Sequence, residues 1–332
     1  MRPRGKDHSL TEFCSALRKH DRYLLSCHVT PEGDAIGSIL AMDSLLRRLG
    51  KKTRVICEDP FPERLKGCFS QKRWNALADV SKLADKFEAL VVADCSTLDR
   101  IGKVKGRLNA GTVIFNIDHH VSNDRFGDYN YIRPEAAASG EVVMDIFKHM
   151  KVPITREDAV NLYIALATDT GSFKYSNTTV HSHRMAAELM MSGIDIEKIN
   201  EQIYATYSLN KLNLYSRLLG RVRTTAGGRI AWVGLTRTDL KHSGATYEDT
   251  EGFIDFLKYI REVKVAFFMS ELPDGESVKV SFRSHGPYDV NKIATYFKGG
   301  GHKKASGCTV RLPLHETERQ ILSVVRRKFK FK

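Results

Sequence analysis

The chain has 332 residues, a formal net charge of +13, 42% hydrophobic and 27% charged residues, and six cysteines. That length exceeds one comfortable hydrophobic core and suits two domains, the composition is that of a soluble globular protein, and the lack of any apolar run of about 18 residues excludes a membrane-spanning helix. The opening "MRPRGKDHSLTEFCSAL" carries basic residues without a long apolar stretch behind them, so it does not read as a secretory signal and the cytoplasm is the expected location. Cys14, Cys27, Cys57, Cys68, Cys95 and Cys308 form no CxxC pair, so they read as reduced core thiols rather than a zinc knuckle or a disulfide scaffold. The positive charge favours a polyanionic partner, nucleic acid, nucleotide or polyphosphate, and equally serves solubility; charge alone names no function.

In chain order, "RYLLSCHV" (22–29) has the pattern of a buried strand, "DAIGSILAMDSLLRRLG" (34–50) has helical apolar spacing with Gly50 as its stop, and "TRVICE" (53–58) is strand again. "ALVVADCS" (89–96) and "TVIFNIDHH" (112–120) are two more apolar runs that end in charged residues, which predicts a parallel sheet covered by helices. Helices are predicted over 139–150, 155–171 and 181–193, the second capped by Thr155 with Glu157 as its acidic partner. A polar helical stretch, 195–222, reads as a linker between a first domain, 1–194, and a second, 223–332. The second has strand patterns at 228–235, 264–272 and 277–284, the last two joined by the hairpin signal "PDGE", and helical patterns near 250–260, 289–298 and 315–329. The fold class is α/β, a parallel sheet flanked by helices followed by a smaller mixed α/β domain. No internal repeat or low-complexity tract is evident.

The ends of these elements carry the chemistry. His28, Glu32 and Asp34 follow the first strand in "HVTPEGDAIGS", Asp94 lies in "VVADCS", Asp118, His119 and His120 in "IDHHVSN", and Asp169 in "TDTGSF". In an open parallel sheet, ligands bind where the carboxyl ends of the strands converge, so residues far apart in sequence would meet there. Carboxylates and imidazoles crowded in one crevice repel and desolvate one another unless cations neutralise them. Two divalent metals would do so, and mixed oxygen and imidazole ligands suit manganese, magnesium or iron better than structural zinc. Taken singly, each has an ordinary explanation: Asp94 as a helix cap, Glu32 and Asp34 as first-turn acids, the histidine pair as packing or a polar loop. The four motifs together, all at strand or helix ends, favour the site.

Those motifs in that order resemble the DHH phosphoesterase superfamily, and "FKGGGHKKASG" (297–307) resembles the glycine-rich signature of its DHH-associated C-terminal domain. Size and motif spacing are most similar to its branch of bifunctional oligoribonucleases and pAp (3′-phosphoadenosine 5′-phosphate) phosphatases, the NrnA type. The resemblance implies that His28, Glu32 and Asp94 hold one metal, and that Asp34, Asp94, His119 and Asp169 hold the other, with Asp94 bridging. Glu32 stands where the family has aspartate. His120 would face the scissile phosphate and Asp118 would orient the imidazoles. Two divalent ions, manganese first with magnesium or iron(II) as alternatives, would clamp the oxygens of an in-line phosphoryl displacement.

Arg283, Ser284, Gly300, Gly301 and His302 would contact the nucleotide's phosphates, with the active site in a cleft between the domains. His8, His20, His149, His181, His183, His242 and His315 have no such setting and read as surface residues. The implied activity is removal of mononucleotides from very short single-stranded RNA and dephosphorylation of pAp. A phosphodiesterase of cyclic dinucleotides or their linear products is the nearest rival. A pyrophosphatase or exopolyphosphatase and a RecJ-like long-strand exonuclease are further alternatives in the superfamily. A non-catalytic nucleic-acid-binding protein is the alternative from another class, and a homodimer is left open.

Overall fold

The apolar runs of the first half form the centre of a six-stranded sheet in the computed structural model, which describes residues 5–79, 87–204 and 207–331. The chain divides into two compact units, Met1–Thr206 and Tyr207–Lys332. In chain order the first comprises α1 (Leu10–Leu17), β1 (Arg22–Ser26), α2 (Gly33–Arg48), β2 (Lys52–Cys57), β3 (Trp74–Ala76), β4 (Ala89–Ala93), β5 (Val113–Asp118), β6 (Tyr129–Ile132), α3 (Ser139–Met150), α4 (Arg156–Asp169), α5 (Val180–Met190) and α6 (Ile196–Tyr204). The strand order is β3-β2-β1-β4-β5-β6 and every pairing is parallel.

Strand β4, "ALVVA", is buried at every position, because a parallel sheet covered on both faces has no solvent side for polar residues to meet. Leu25, Val91 and Phe115 on one face pack with Ile39 of α2, Val142 of α3 and Leu162 of α4. Leu24, Leu90 and Val92 on the other pack with Ile101 and Val104 of a 3-10 stretch, Leu98–Arg107. Helix α2 crosses α4 so closely that a Cβ on Gly37 would fall 2.2 Å from the Asn161 carbonyl oxygen, and one on Gly140 of α3 would fall 2.7 Å from the Ala165 Cβ. Those two glycines let the N-terminal turns of α2 and α3 pack closely against the middle of α4.

Thr155 caps α4 as expected, but its acidic partner is Asp158 rather than Glu157: the third helical residue reaches back, and the Thr155 amide donates to Asp158 Oδ2 at 2.9 Å. Helix α1, which opens with a Ser9–Glu12 capping box, was not legible in the apolar pattern. All six cysteines are buried. No helix of the described residues is long and apolar enough to cross a membrane.

The second unit comprises α7 (Leu209–Leu219), β7 (Arg223–Thr225), β8 (Ile230–Leu235), α8 (Arg237–Ser243), α9 (Phe253–Lys258), β9 (Val265–Glu271), β10 (Val278–Ser284), α10 (Asn291–Tyr296), β11 (Gly300–Gly301), β12 (Ala305–Val310) and α11 (Leu314–Phe329). Its sheet runs β11-β12-β10-β9-β8-β7, antiparallel except for the parallel pair β8 and β9. The "PDGE" turn joins β9 to β10 with Gly275 at φ 73°, a conformation that favours glycine. Phe267, Val280 and Phe282 face Ile293 and Ile321, while Ala266 and Phe268 face Leu214, Leu218 and Phe253 on the other side. Within the predicted linker, α6 buries Ile199 in the first unit's core and α7 buries Leu214 in the second unit's core. Residues 205 and 206, between those helices, lie outside the described residues.

Candidate metal centre

The sheet order reverses direction at β1. From β1 the chain moves through α2 to β2 on one side, and β4 lies on the other, so the loops after β1 and β4 diverge and leave a crevice at the carboxyl ends of the strands. His28 follows β1, Asp94 follows β4 directly, and Asp118 ends β5 with His119 and His120 after it. Glu32 is the N-cap of α2, Asp34 is in its first turn, and Asp169 closes α4. All eight of these sequence-predicted residues come together.

Ligand-capable atoms form three groups, each within 4.8 Å: His28, Glu32 and Asp94; Asp34, His119 and Asp169; and Asp94, Asp118, His119 and His120. Asp94 divides its two oxygens among them. Its Oδ2 lies 3.4 Å from His28 Nε2, while its Oδ1 lies 3.6 Å from both His119 Nε2 and His120 Nδ1. His119 Nε2 also faces Asp169 Oδ2 at 3.6 Å and Asp34 Oδ2 at 3.9 Å. Asp94 has φ 57°, a left-handed backbone that aspartate tolerates better than most residues.

Neighbouring groups hold each ligand in place. The Ser139 and Gly140 amides at the start of α3 donate to Asp34 Oδ2 at 2.7 Å and Oδ1 at 2.9 Å, and the Ser38 hydroxyl adds a third bond at 3.0 Å. The Ser139 hydroxyl reaches Asp94 Oδ1 at 3.1 Å. Asn177 Nδ2 lies 3.3 Å from Asp169 Oδ2, and Asn123 Nδ2 donates to Asp118 Oδ2 at 2.6 Å. Ser139 and Asn177 escape sequence reasoning because a lone serine or asparagine carries no motif, whereas Asn123 stands at the end of "IDHHVSN", a position that is itself a local signal.

The imidazoles are oriented for coordination. His28 Nδ1 bonds the Val29 carbonyl at 2.8 Å and His119 Nδ1 bonds the Ala136 carbonyl at 3.2 Å. A carbonyl oxygen only accepts, so Nδ1 carries the proton and each Nε2 is turned to the carboxylates, the arrangement of a metal-ligating histidine.

The electrostatics show how incompatible these groups are by themselves. Burial opposes the Asp94 charge, but His28, His119 and His120 outweigh it and hold the carboxyl well below its usual range. Burial, reinforced by Asp94 and Asp169, pushes Asp34 well above that range despite His119. Asp169 is pushed up to about 7 by burial, Asp94 and Glu32 against the pull of His119. Burial lowers His119, yet Asp34, Asp94 and Asp169 carry it up to about 9. His120 is likewise raised, with Asp118 at 2.7 Å from Nδ1 overcoming burial. Buried acids forced toward neutrality beside buried imidazoles forced toward charge fit divalent cations that would replace those protons.

The second unit arranges its expected residues differently. Arg283 on β10 pairs with Ala305 on β12, and Gly301 on β11 pairs with Ser306, so both reach one end of the sheet. Arg283 Nε meets Asp255 Oδ1 at 3.3 Å and Nη1 meets the Phe282 carbonyl at 3.1 Å. Gly300, Gly301 and His302 are exposed. A Cβ on Gly301, at φ 136°, would fall 2.7 Å from the Ala305 carbonyl oxygen. Ser284, expected as a phosphate contact, is 3% exposed. Its hydroxyl donates to the Tyr288 carbonyl at 2.7 Å and its amide to the Lys304 carbonyl at 3.1 Å, so both of its donors are engaged within the turn. Of the histidines expected at the surface, His149, His181, His183, His242 and His315 are exposed, whereas His8 and His20 are half-buried against aromatic rings.

Residues 22–194 match the model of the DHH family, N-terminal domain, and residues 221–330 match the DHHA1 domain. The chain is 32% identical to the bifunctional oligoribonuclease and PAP phosphatase NrnA of Thermus thermophilus, across 91% of this chain and 88% of that protein. It is 25% identical to the protein of the same name in Bacillus subtilis, across 90% of this chain and 93% of that one. Among solved structures, an exopolyphosphatase-related protein from Bacteroides fragilis superposes with a TM-score of 0.90 at 28% identity, covering 97% of this chain and 96% of that one.

Proposed function

The chain belongs to the DHH family, and from that membership we propose that it is a metal-dependent phosphoesterase that degrades very short oligoribonucleotides to mononucleotides and removes the 3′-phosphate of pAp to leave AMP. The observation that carries this reading is Asp94, whose two buried carboxylate oxygens face different imidazole and carboxylate groups. His28, Glu32 and Asp94 would hold one cation and Asp34, Asp94, His119 and Asp169 a second, manganese first and magnesium or iron(II) as alternatives. Such cations supply charge neutralisation at the phosphoryl group and an acidified water.

The chain's own residues do the rest. Asp118 accepts from Asn123 and from the His119 amide at 2.8 Å, which fixes it as the anchor for His120 Nδ1. Thus oriented and favoured in its protonated form, His120 presents Nε2 to the phosphoryl group and holds a proton for the departing oxygen. Arg283, Gly300, Gly301 and His302 supply donors to the nucleotide's phosphates, with Ser284 holding the turn behind them. Six buried thiols support a reducing, cytoplasmic setting.

A substrate panel tests the reading: pAp, RNA of two to about five nucleotides, a cyclic dinucleotide and pyrophosphate, with manganese and with a chelator. Release of AMP from pAp and of mononucleotides from the short RNA, both abolished by the chelator, is expected. Hydrolysis of pyrophosphate alone would overturn the substrate assignment, and inactivity on the whole panel would overturn the enzyme assignment.

A further inference from the structure

The segment between β6 and α3, "AAASG" (136–140), contacts all four residues assigned to the second cation, directly or through Asn177. The Ala136 carbonyl accepts from His119 Nδ1, the Ser139 and Gly140 amides hold Asp34, and the Ser139 hydroxyl reaches Asp94. The Ala137 carbonyl accepts from Asn177 Nδ2 at 3.0 Å, and the same Nδ2 donates to the Asp169 carbonyl at 3.1 Å. Three successive alanines give the segment little of its own to anchor it.

The anchor lies behind it. Glu141, 1% exposed, accepts from the Ala137 amide at 3.2 Å through Oε2 and from the Ser182 hydroxyl of α5 at 2.7 Å through Oε1. Ser182 Oγ in turn accepts from the Thr179 amide at 3.1 Å. This is not a helix cap, since the N-cap of α3 is Ala138 and Glu141 reaches the residue before it. No lysine, arginine or histidine pairs with Glu141 among the described residues. Burying a carboxylate without a cation costs stability, whereas an apolar side chain there would leave the buried Ala137 amide unpaired.

We propose that Glu141 is a positioning residue: by tying the Ala137 amide to α5 it fixes the 136–140 segment, and through that segment the ligands of the second cation. The proposal rests on the phosphoesterase reading of the site. Glu141 makes no hydrogen bond to a proposed ligand, so it acts only through the backbone and Ser139. Groups that hold metal ligands in place set metal affinity and turnover together. A residue that meets no phosphate leaves substrate binding alone.

The test compares the full chain with Glu141→Met, which keeps bulk without acceptors, Glu141→Gln, which keeps an acceptor oxygen for the Ala137 amide, and Ser182→Ala, which frees the far side of the carboxylate. Manganese affinity by calorimetry, the thermal midpoint of the metal-free chain, and kcat and KM on pAp are read for each. In Glu141→Met, manganese affinity and kcat should fall on the order of tenfold to a hundredfold with KM near the parental value. Glu141→Gln should recover most of both, and Ser182→Ala should lose less, about threefold to tenfold. Parental manganese affinity in folded Glu141→Met would overturn the proposal and leave the carboxylate a purely structural group. If that variant does not fold, parental affinity in Ser182→Ala overturns it in the same way. A Glu141→Gln as weak as Glu141→Met, or a loss confined to KM, would also overturn it. If the parent binds manganese but does not hydrolyse pAp, the phosphoesterase reading fails while the manganese affinities still decide the role of Glu141.

Discussion

His28, Asp34 and Asp94 in the first unit are at most 4% exposed, and both carboxylates take hydrogen bonds from the start of α3. Gly300, Gly301 and His302 in the second unit are exposed, and Arg283 leans on the carboxylate of Asp255. The first set has lost its water, so each charge depends on its neighbours and the arrangement has almost no freedom to adapt. The second set keeps its water, and removing one member leaves no buried charge behind. The two regions should therefore answer mutation very differently.

Asp94→Asn should break the first region most severely. Asparagine tolerates the left-handed backbone at this position, so the fold should persist while manganese-dependent turnover of pAp falls on the order of a thousandfold or more. Steady-state kinetics with a thermal melt checks this, and near-parental kcat would refute the shared role of Asp94.

The protons on the same cluster make a second prediction. Burial lowers His119, but the facing carboxylates raise it to about 9, and burial raises Asp169 to about 7. Both protonated forms oppose metal binding, since a cation must displace the proton. Manganese affinity should therefore rise on the order of a hundredfold between about pH 7 and about pH 9, with proton release, and flatten above. Calorimetry in buffers of different ionisation heat measures both quantities, and an affinity that falls over this range would contradict the arrangement.

In the second region the effect should be smaller and confined to substrate. Arg283→Ala and His302→Ala should retain full manganese content and lose about tenfold to thirtyfold in kcat/KM on pAp and on a dinucleotide. Hydrolysis of bis-p-nitrophenyl phosphate, which has no nucleotide end to hold, should change less. Unchanged dinucleotide kinetics would remove these residues from recognition.

The comparison also separates a charge buried for function from one buried for stability. Asp43 is 1% exposed and meets Arg73 Nε at 3.0 Å, Arg47 Nε at 2.9 Å and the Thr53 hydroxyl. Burial raises its pKa, but these partners outweigh it and hold the carboxyl below its usual range. Its contribution is thus present above the unfolded carboxyl value and lost as pH falls through the lower folded one. Asp43→Ala should destabilise by about 2 kcal/mol at neutral pH, a modest amount because water can reach the two arginines. Denaturant titration should show that loss with manganese content and kcat unchanged.

Much of the first region was legible in the sequence for the same reason that it is fragile. Strands buried on both faces read as continuous apolar runs, as in "ALVVA", and an acid at the end of such a run stands out. Strands β3 and β6 escaped because short edge strands carry little pattern, and β12, "ASGCTV", because small residues and glycine masked it behind the preceding glycine run. The hydrogen bonds of Ser139, Asn123 and Asn177 are tertiary, made across 45, 5 and 8 residues, and no local periodicity reports them. The family resemblance implies Ser284 as a phosphate contact, but in this chain it is buried and its hydroxyl donates to the Tyr288 carbonyl. The Asp158 cap differs from the expected Glu157 because only the third helical position reaches the capping amide.

In the proposed site Asp94 would join two cation positions, and a count of bound metal per chain tests that sharing. The parent chain, Glu32→Ala and Asp94→Asn would each be loaded with manganese, desalted and analysed by plasma mass spectrometry against protein concentration. About two ions per chain are expected in the parent, about one in Glu32→Ala through loss at the His28 side, and fewer than one in Asp94→Asn. A single ion in the parent, or a parental count in both variants, would contradict that sharing.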